Sequence, residues 1–295
     1  MPLNYEGTVI RPPSEADSLI FQITLGCSDN SCIFCPAYKD KTFRIKPLDI
    51  IFKEIDYISN KYSGIRKIFL ADGDALIMPQ NQLIAVFDRI LENFKDVDVR
   101  RISLYASNKS IALKSVEELK ELRKRKMSVA YIGFETGDAD VYKMISKYGG
   151  PEDNAKSVNK LKEAGIKSNV TVILGLGGKK HTHAHAINTA KILNASKPEQ
   201  IAALTLMVAK NTQLFKMIQK GEFKLLDDFE SLEELKIIME RLEDFPCLFF
   251  SNHASNYVPI EARLPKDKEK TLTILKDILK RKNKFDLKPD FLRGL

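Results

Sequence analysis

Histidine and cysteine are scarce in this 295-residue chain. It has four histidines, none before residue 181, and four cysteines, three of them on one short stretch: Cys27, Cys32 and Cys35 in "LGCSDNSCIFCPAYKDKTFR". Cys247 stands alone. Long apolar runs are absent too, which argues against a membrane-spanning helix. The first residues, "MPLNYEGTVIRPPSEADS", lack the basic-then-apolar order of a secretory signal, so a cytoplasmic location is expected. In that reducing compartment clustered cysteines read as metal or redox ligands and not as disulfides. No repeat, low-complexity tract or linker stands out, and one domain is expected.

What is present is an ordinary globular composition, 44% hydrophobic and 29% charged, with a formal net charge of +8. A basic surface suits anionic partners. Lys and Arg nevertheless alternate with Asp and Glu along most helical segments, and the densest basic run, "LKDILKRKNK" at 275–284, has no aromatic interleaving. The pattern is that of solvated faces and argues against nucleic acid as a partner.

Apolar strand-like runs alternate with segments of helical period. Strands are predicted at 19–26, 65–72, 99–107, 128–135, 167–175, 201–208 and 247–252. Between them lie helices: "PLDIIFKEIDYISNKY" with Ile50, Ile51, Ile55 and Ile58 on one face, then 80–94, one opened by a Ser115/Glu118 capping box, 138–147, 152–164, 183–194, 232–243 capped by Ser231 and Glu234, and 267–283. This alternation predicts an α/β fold of six to seven parallel strands in a partial or full (β/α) barrel of TIM type. The expected layout is an N-terminal extension over 1–17, the barrel over 18–260, and a C-terminal helix and tail over 261–295. In such barrels function sits in the loops after the strands.

Three cysteines on the loop after the first strand can serve zinc or an iron–sulfur cluster. Structural zinc takes four ligands, usually Cys with His, and no His lies in the loop. Cys247 could complete the set, but it opens an apolar strand and also reads as a small buried hydrophobe. A four-iron cubane held by three Cys leaves one iron open for a substrate.

This loop, with Phe34 before its last cysteine, resembles that of the radical S-adenosylmethionine (radical SAM) superfamily. Most members space the cysteines by three and two residues, whereas here the spacing is four and two. The resemblance extends through "LADGDAL" (70–76), "GFETG" (133–137) and "LGLGG" (174–178), each after a strand, and covers roughly residues 18 to 260. It implies that Cys27, Cys32 and Cys35 hold a [4Fe–4S] cluster and that Gly73, with Asp72 or Asp74, meets the amino group of SAM. It further implies that Glu135 meets the ribose or methionine part, and that Gly175 and Gly177 lie near adenine. The implied chemistry is reductive cleavage of SAM to a 5′-deoxyadenosyl radical, which abstracts hydrogen from a substrate, with a ferredoxin or flavodoxin as electron donor. Within the superfamily the chain resembles a branch of small iron–sulfur oxidoreductase-like proteins sharing "CxFCxxYKxKxFR" (32–44) and "SNHASNY" (251–257).

"SNHASNY" is the expected substrate contact, with His253 and Tyr257 as proton-exchanging groups; as a polar turn it would serve only its own backbone. Lys39 and Arg44 are candidates for a carboxylate of SAM or substrate, or solvated cations. "HTHAH" (181–185) puts His181 and His185 one helical turn apart, but with no third ligand evident an exposed helix start is the reading over a metal site. One cysteine beyond the loop argues against a second Cys-ligated cluster. No cobalamin or RNA-binding domain is expected, so a small-molecule substrate is the first expectation, with a protein or RNA side chain second. The competing readings are a zinc-stabilised barrel that binds, and an iron–sulfur, SAM-binding carrier without turnover.

Overall fold

In the computed structural model, which describes residues 3–62, 64–96 and 98–294, each expected apolar run forms a strand, most of them a residue or two shorter at the ends. The chain divides into two compact units. The first comprises the chain up to Asn30, Ala37–Ile132 and Asn159–Ser168; the second comprises Ser31–Pro36, Gly133–Val158 and the chain from Asn169 on.

The elements of the first unit begin with β1 Leu19–Gln22, the short β2 Thr24–Leu25 and β3 Arg44–Ile45, and α1 Leu48–Ser59. They continue with β4 Lys67–Ala71, α2 Gln80–Asn93, β5 Arg101–Ala106, α3 Asn108–Leu113, α4 Val116–Lys124 and β6 Met127–Glu135, whose last residues enter the second unit. β1 pairs in parallel with β4 (Leu19 opposite Ile68), β4 with β5 and β5 with β6, while β2 and β3 form a separate antiparallel pair. Phe21, Ile68, Leu70, Ile102 and Leu104 are fully buried, as near-continuous apolar strands of a parallel sheet should be. Ile51, Ile55 and Ile58 of α1 are buried, and the Ser115/Glu118 capping box forms as expected.

The second unit holds α5 Ala139–Met144, most of α6 Pro151–Glu163 and β7 Lys167–Leu174, then α7 Gly178–Ser196, β8 Gln200–Thr205, α8 Gln213–Gln219, α9 Asp228–Arg241, β9 Cys247–Phe250, β10 Glu261–Leu264 and α10 Lys268–Arg281. β7 pairs in parallel with β8 and β8 with β9, whereas β10 runs antiparallel to β9. The main sheet has the order β1-β4-β5-β6-β7-β8-β9-β10. It carries one strand more than the six or seven expected, because the segment read as helix and tail contributes β10.

One helix start needs correction. Ser231 and Glu234 do not cap α9. Asp227 is its N-cap, in a capping box with Glu230, and Ser231 and Glu234 lie buried inside the helix. Both pairs have capping-box spacing; the one nearer the point of chain entry forms the cap, which frees Glu234 for another task.

Candidate functional site

The loop after β1 is anchored separately in each unit. In the first, Gly26 has φ +71°, and a Cβ there would come within 3.3 Å of Lys41 Cβ. Gly73 N–H donates to the Gly26 carbonyl at 3.1 Å, so the loop after β4 lies directly against the start of the cysteine loop. A Cβ on Gly73 would meet the Tyr38 ring at 2.6 Å and Cys27 Cβ at 3.0 Å. Glycine is required there by close approach, since its φ is ordinary.

Asp72 and Asp74 flank that glycine and are fully buried, but they are used differently. Both oxygens of Asp74 are taken: Ser28 Oγ and Ser107 Oγ donate to Oδ2, and Ser107 N–H to Oδ1. Burial raises the Asp74 pKa, and the serine hydrogen bonds offset part of that. Asp72 Oδ2 accepts three bonds, from Lys41 Nζ at 2.8 Å and from Gln22 Nε2 and Gly26 N–H at 3.1 Å each. Asp72 Oδ1, equally buried, has no hydrogen-bond partner among the described residues. A bare buried carboxylate oxygen is costly unless a ligand donates to it.

In the second unit the cysteine loop is held by backbone bonds from Ile33 N–H to the Ile145 carbonyl and from Leu214 N–H to the Ile33 carbonyl, both 3.0 Å. Cys32 and Phe34 pack with Val141, Ile145, Leu176, Leu214 and Phe223. None of the four cysteines is in a disulfide. Cys247 is buried on β9, with Sγ against the Leu248 carbonyl. Glu135 ends β6 with φ +64°, a left-handed conformation that costs a non-glycine residue about 1 kcal/mol or more. Its carboxylate pairs with Lys147 at 3.1 Å. Burial pulls the Lys147 pKa down, but the charges of Glu135 and then Cys32 more than offset it and hold the ammonium charged. Gly175, at φ +81°, opens the turn after β7, and a Cβ on Gly177 would crowd His181 and His185 at 3.1 Å each.

"SNHASNY" follows β9, and several of its residues bond within the fold. Asn256 is buried, donating to the Ala203 carbonyl at 2.9 Å and accepting from Thr205 Oγ1 at 2.8 Å. His253 is half-buried and Nδ1 accepts from Ser255 N–H at 3.1 Å, so the neutral ring carries its proton on Nε2. Burial, then Lys288, lowers its pKa below 6.5. The Arg293 guanidinium lies 3.8 Å from the Tyr257 ring centroid, and Arg293 Nε donates to the Ser255 carbonyl. The chain's last turns thus strap down this segment.

The exposed helix start expected for "HTHAH" is right for His183 and wrong for His185, which is fully buried. His181 lies with Asp138 and Asp140, ligand atoms within 4.8 Å of one another. Asp138 is already spent, capping α5 through Oδ1 and accepting from Asn188 through Oδ2. Of the cations near the cysteines, Lys39 donates to the Asn30 carbonyl and Arg44 pairs with Glu6 at the surface. Lys41, between them and not singled out by the sequence, reaches Asp72. No local pattern marks Lys147 or Gln22 either, and spacing marks Glu234 only as a helix cap.

A sequence model of the radical SAM superfamily matches residues 21–193, more than half of the chain, and the chain belongs to that superfamily. It is 25% identical over 182 residues to the heme chaperone HemW of Bacillus subtilis, covering 61% of this chain and 46% of that protein. It is 26% identical over 258 residues to an uncharacterized protein of Methanocaldococcus jannaschii, covering 83% of this chain and 74% of that one. Among solved structures, coproporphyrinogen III oxidase (HemN) of Escherichia coli, a radical SAM enzyme, superposes with a TM-score of 0.60 at 18% identity, over 76% of this chain and 51% of that one. Methylornithine synthase (PylB) does so with 0.54 at 13%, over 76% and 63%. These likenesses show an α/β fold of the (β/α)-barrel class. The chain spans about half the length of HemW and HemN, and what those proteins act on stays with them.

Enzymes of this superfamily use a [4Fe–4S] cluster and SAM. Radical SAM enzymes generally need a reductant and a substrate. Among the described residues no helix is long and apolar enough to cross a membrane.

Proposed function

We propose that Cys27, Cys32 and Cys35 ligate the cluster, that Asp72, Gly73, Glu135, Gly175 and Gly177 hold SAM, and that hydrogen is taken from a small-molecule substrate near "SNHASNY". When bound, these cofactors supply one-electron cleavage of the SAM sulfonium and the 5′-deoxyadenosyl radical that abstracts hydrogen. The observation that carries the reading is Asp72: one oxygen held by Lys41, Gln22 and Gly26, the other buried and bare. An ammonium group is the donor that such an oxygen takes best. Gly73 beside it keeps side-chain atoms out of the space next to Cys27.

The remaining residues have supporting roles in this reading. Asp74, saturated by Ser28 and Ser107, steadies the start of the cysteine loop and does not touch SAM. Lys147 holds the Glu135 carboxylate and faces the Cys32 thiolate. His253 Nε2–H donates to substrate, and Tyr257 stays protonated because burial raises its pKa. The reductant is a ferredoxin or flavodoxin, acidic partners to which a +8 chain is complementary, and the location is cytoplasmic.

The test is anaerobic. Reconstituted protein should bind SAM, and Asp72→Asn should bind it at least tenfold more weakly with iron content unchanged, a loss of the size expected for a charge-assisted bond. Reduced protein should release 5′-deoxyadenosine, faster with substrate, and deuterium from labelled cell extract should enter it. Absence of 5′-deoxyadenosine under any reductant would overturn the hydrogen-abstraction reading. Wild-type affinity in Asp72→Asn would overturn the assignment of Asp72.

A further inference from the structure

One buried ionisable pair has no part in the chemistry above. His185 on α7 and Glu234 on α9 have side chains only 1% and 0% exposed, with Nδ1 3.1 Å from Oε1. The contact lies off the line of a hydrogen bond, and neither ring nitrogen has an aligned partner among the described residues. Burial pulls the imidazole pKa down. The Glu234 charge more than offsets it, Asp138 and the Glu135 carbonyl add to the effect, and the result is a raised value. The groups facing the ring are thus Glu234 from α9, Asp138 from the segment before α5, and the carbonyl that ends β6.

The same carboxylate holds a loop. Glu234 Oε1 accepts from Gly175 N–H at 2.7 Å and Oε2 from Thr182 Oγ1 at 2.5 Å. Gly175 is the left-handed residue that turns the chain after β7. On the side of α7 that bears His185, Thr189 Oγ1 accepts from Gly137 N–H at 3.0 Å and Asn188 Nδ2 donates to Asp138 at 2.7 Å. These bonds fix the segment that leaves Glu135, itself in a left-handed conformation. One pair of helices therefore sets the shape of both loops, and its only buried cation is His185, when protonated. A buried carboxylate without a cation is expensive to keep ionised.

We propose that the His185–Glu234 ion pair is a positioning element for SAM, holding the loops at 135–138 and 174–178 in their receiving shape while His185 is protonated and releasing them when it is neutral. The proposal rests on the reading of Glu135, Gly175 and Gly177 as SAM contacts. By linkage, SAM binding then raises the His185 pKa, and SAM affinity falls as pH rises through it.

The experiment measures SAM dissociation constants by equilibrium dialysis on anaerobically reconstituted full-length protein, from about pH 6 to about pH 9, spanning the histidine range. Iron content and unfolding temperature are measured on the same samples. Wild type should weaken about tenfold across the range, the effect of a one-unit rise in the His185 pKa on binding. His185→Gln should show the weaker affinity throughout and only the titration of SAM's own amine, with iron unchanged. Glu234→Gln keeps the shape and can still accept from Gly175. It removes the charge, so it should lose the same pH dependence even if His185→Gln folds poorly. A flat wild-type profile, or a Glu234→Gln profile that overlays wild type, would overturn the proposal. Glu135→Ala separates the two levels. If it binds SAM as wild type does, the reading of the SAM contacts fails and the proposal falls with it; if it loses SAM while Glu234→Gln behaves as wild type, only the proposal fails.

Discussion

Replacing Lys41 by Met tests how the carboxylate of Asp72 is held. Nζ lies 2.8 Å from Asp72 Oδ2, and the two side chains are 7% and 0% exposed. Removing one partner of a buried pair costs about 3–5 kcal/mol, because the other charge stays buried without its counter-ion. Two considerations place the expected loss near the lower end. Gln22 and Gly26 still donate to the same oxygen. The methionine fills most of the volume that the lysine stem occupied. Against that, the 2.6 Å bond from Lys41 to the Thr8 carbonyl is lost as well, worth about 1 kcal/mol net. The expectation is about 3 kcal/mol, or about 6–12 °C in unfolding temperature at roughly 2–4 °C per kcal/mol.

The assay is urea unfolding of cluster-free protein, with Arg44→Met as the control. The Arg44–Glu6 pair is 49% and 37% exposed, and its loss should cost about 0–1 kcal/mol. In the Lys41→Met background, Asp72→Asn should recover part of the stability, since the uncompensated charge is gone. If Lys41→Met costs less than about 1 kcal/mol, or no more than Arg44→Met, the charge on Lys41 is not what holds Asp72. Strict additivity of the Lys41 and Asp72 changes would refute the argument by a separate route.

Other outcomes follow from the same geometry. Ala in place of Cys27, Cys32 or Cys35 should abolish stable iron loading, and Cys247→Ala should not, as read by iron and sulfide analysis. Gly73→Ala should cost about 1–3 kcal/mol through overpacking against Tyr38 and Cys27, whereas Gly150→Ala, with open space around its Cβ, should be near neutral in the same unfolding assay. The pKa of His253 is depressed below 6.5, by burial first and Lys288 second. Its neutral form therefore contributes stability that is present above about pH 6.5 and lost as pH falls through the lower folded value; a pH-independent difference in unfolding temperature between wild type and His253→Gln would contradict this. Tyr257→Phe should slow substrate-stimulated release of 5′-deoxyadenosine more than the background rate, and equal slowing would make Tyr257 a support for the strap around Arg293.

The features that were legible in the sequence are those written on contiguous residues. Apolar runs such as "IRKIFLAD" produce buried parallel strands because both faces are covered, and the cysteines announce themselves by crowding onto one loop. β10 was hidden because "EARL" is short and alternates buried with exposed residues, a pattern lost beside a helix start. The cap of α9 was misplaced because Asp227/Glu230 and Ser231/Glu234 share one spacing, and spacing alone does not say where the chain turns in. Likewise Lys39, Lys41 and Arg44 are equivalent as letters. Pairing of Arg44 with Leu25 across β2 and β3 commits Arg44 to the surface, and the turn in which Lys41 N–H bonds the Tyr38 carbonyl directs Lys41 back toward β4.

The residues proposed to orient the site were illegible for a different reason. A ligand-holding group must sit where the chain passes the ligand, so it appears in a short motif after a strand. The group that orients it only has to reach one atom, and any neighbouring element can supply that. Lys41 comes to Asp72 from 31 residues away, Thr189 to Gly137 from 52 and Glu234 to Gly175 from 59. Each works by occupying one oxygen or one N–H and leaving the next atom in a fixed state: Asp72 keeps a bare oxygen because its other oxygen is full, and Gly175 keeps its turn because its N–H is held. Such roles depend on which partner atom is already satisfied, a property of the folded contact list and not of residue type. They are also the roles for which an isosteric change of charge, Glu to Gln or Asp to Asn, separates orientation from packing, because it alters the satisfied atom while leaving the volume in place.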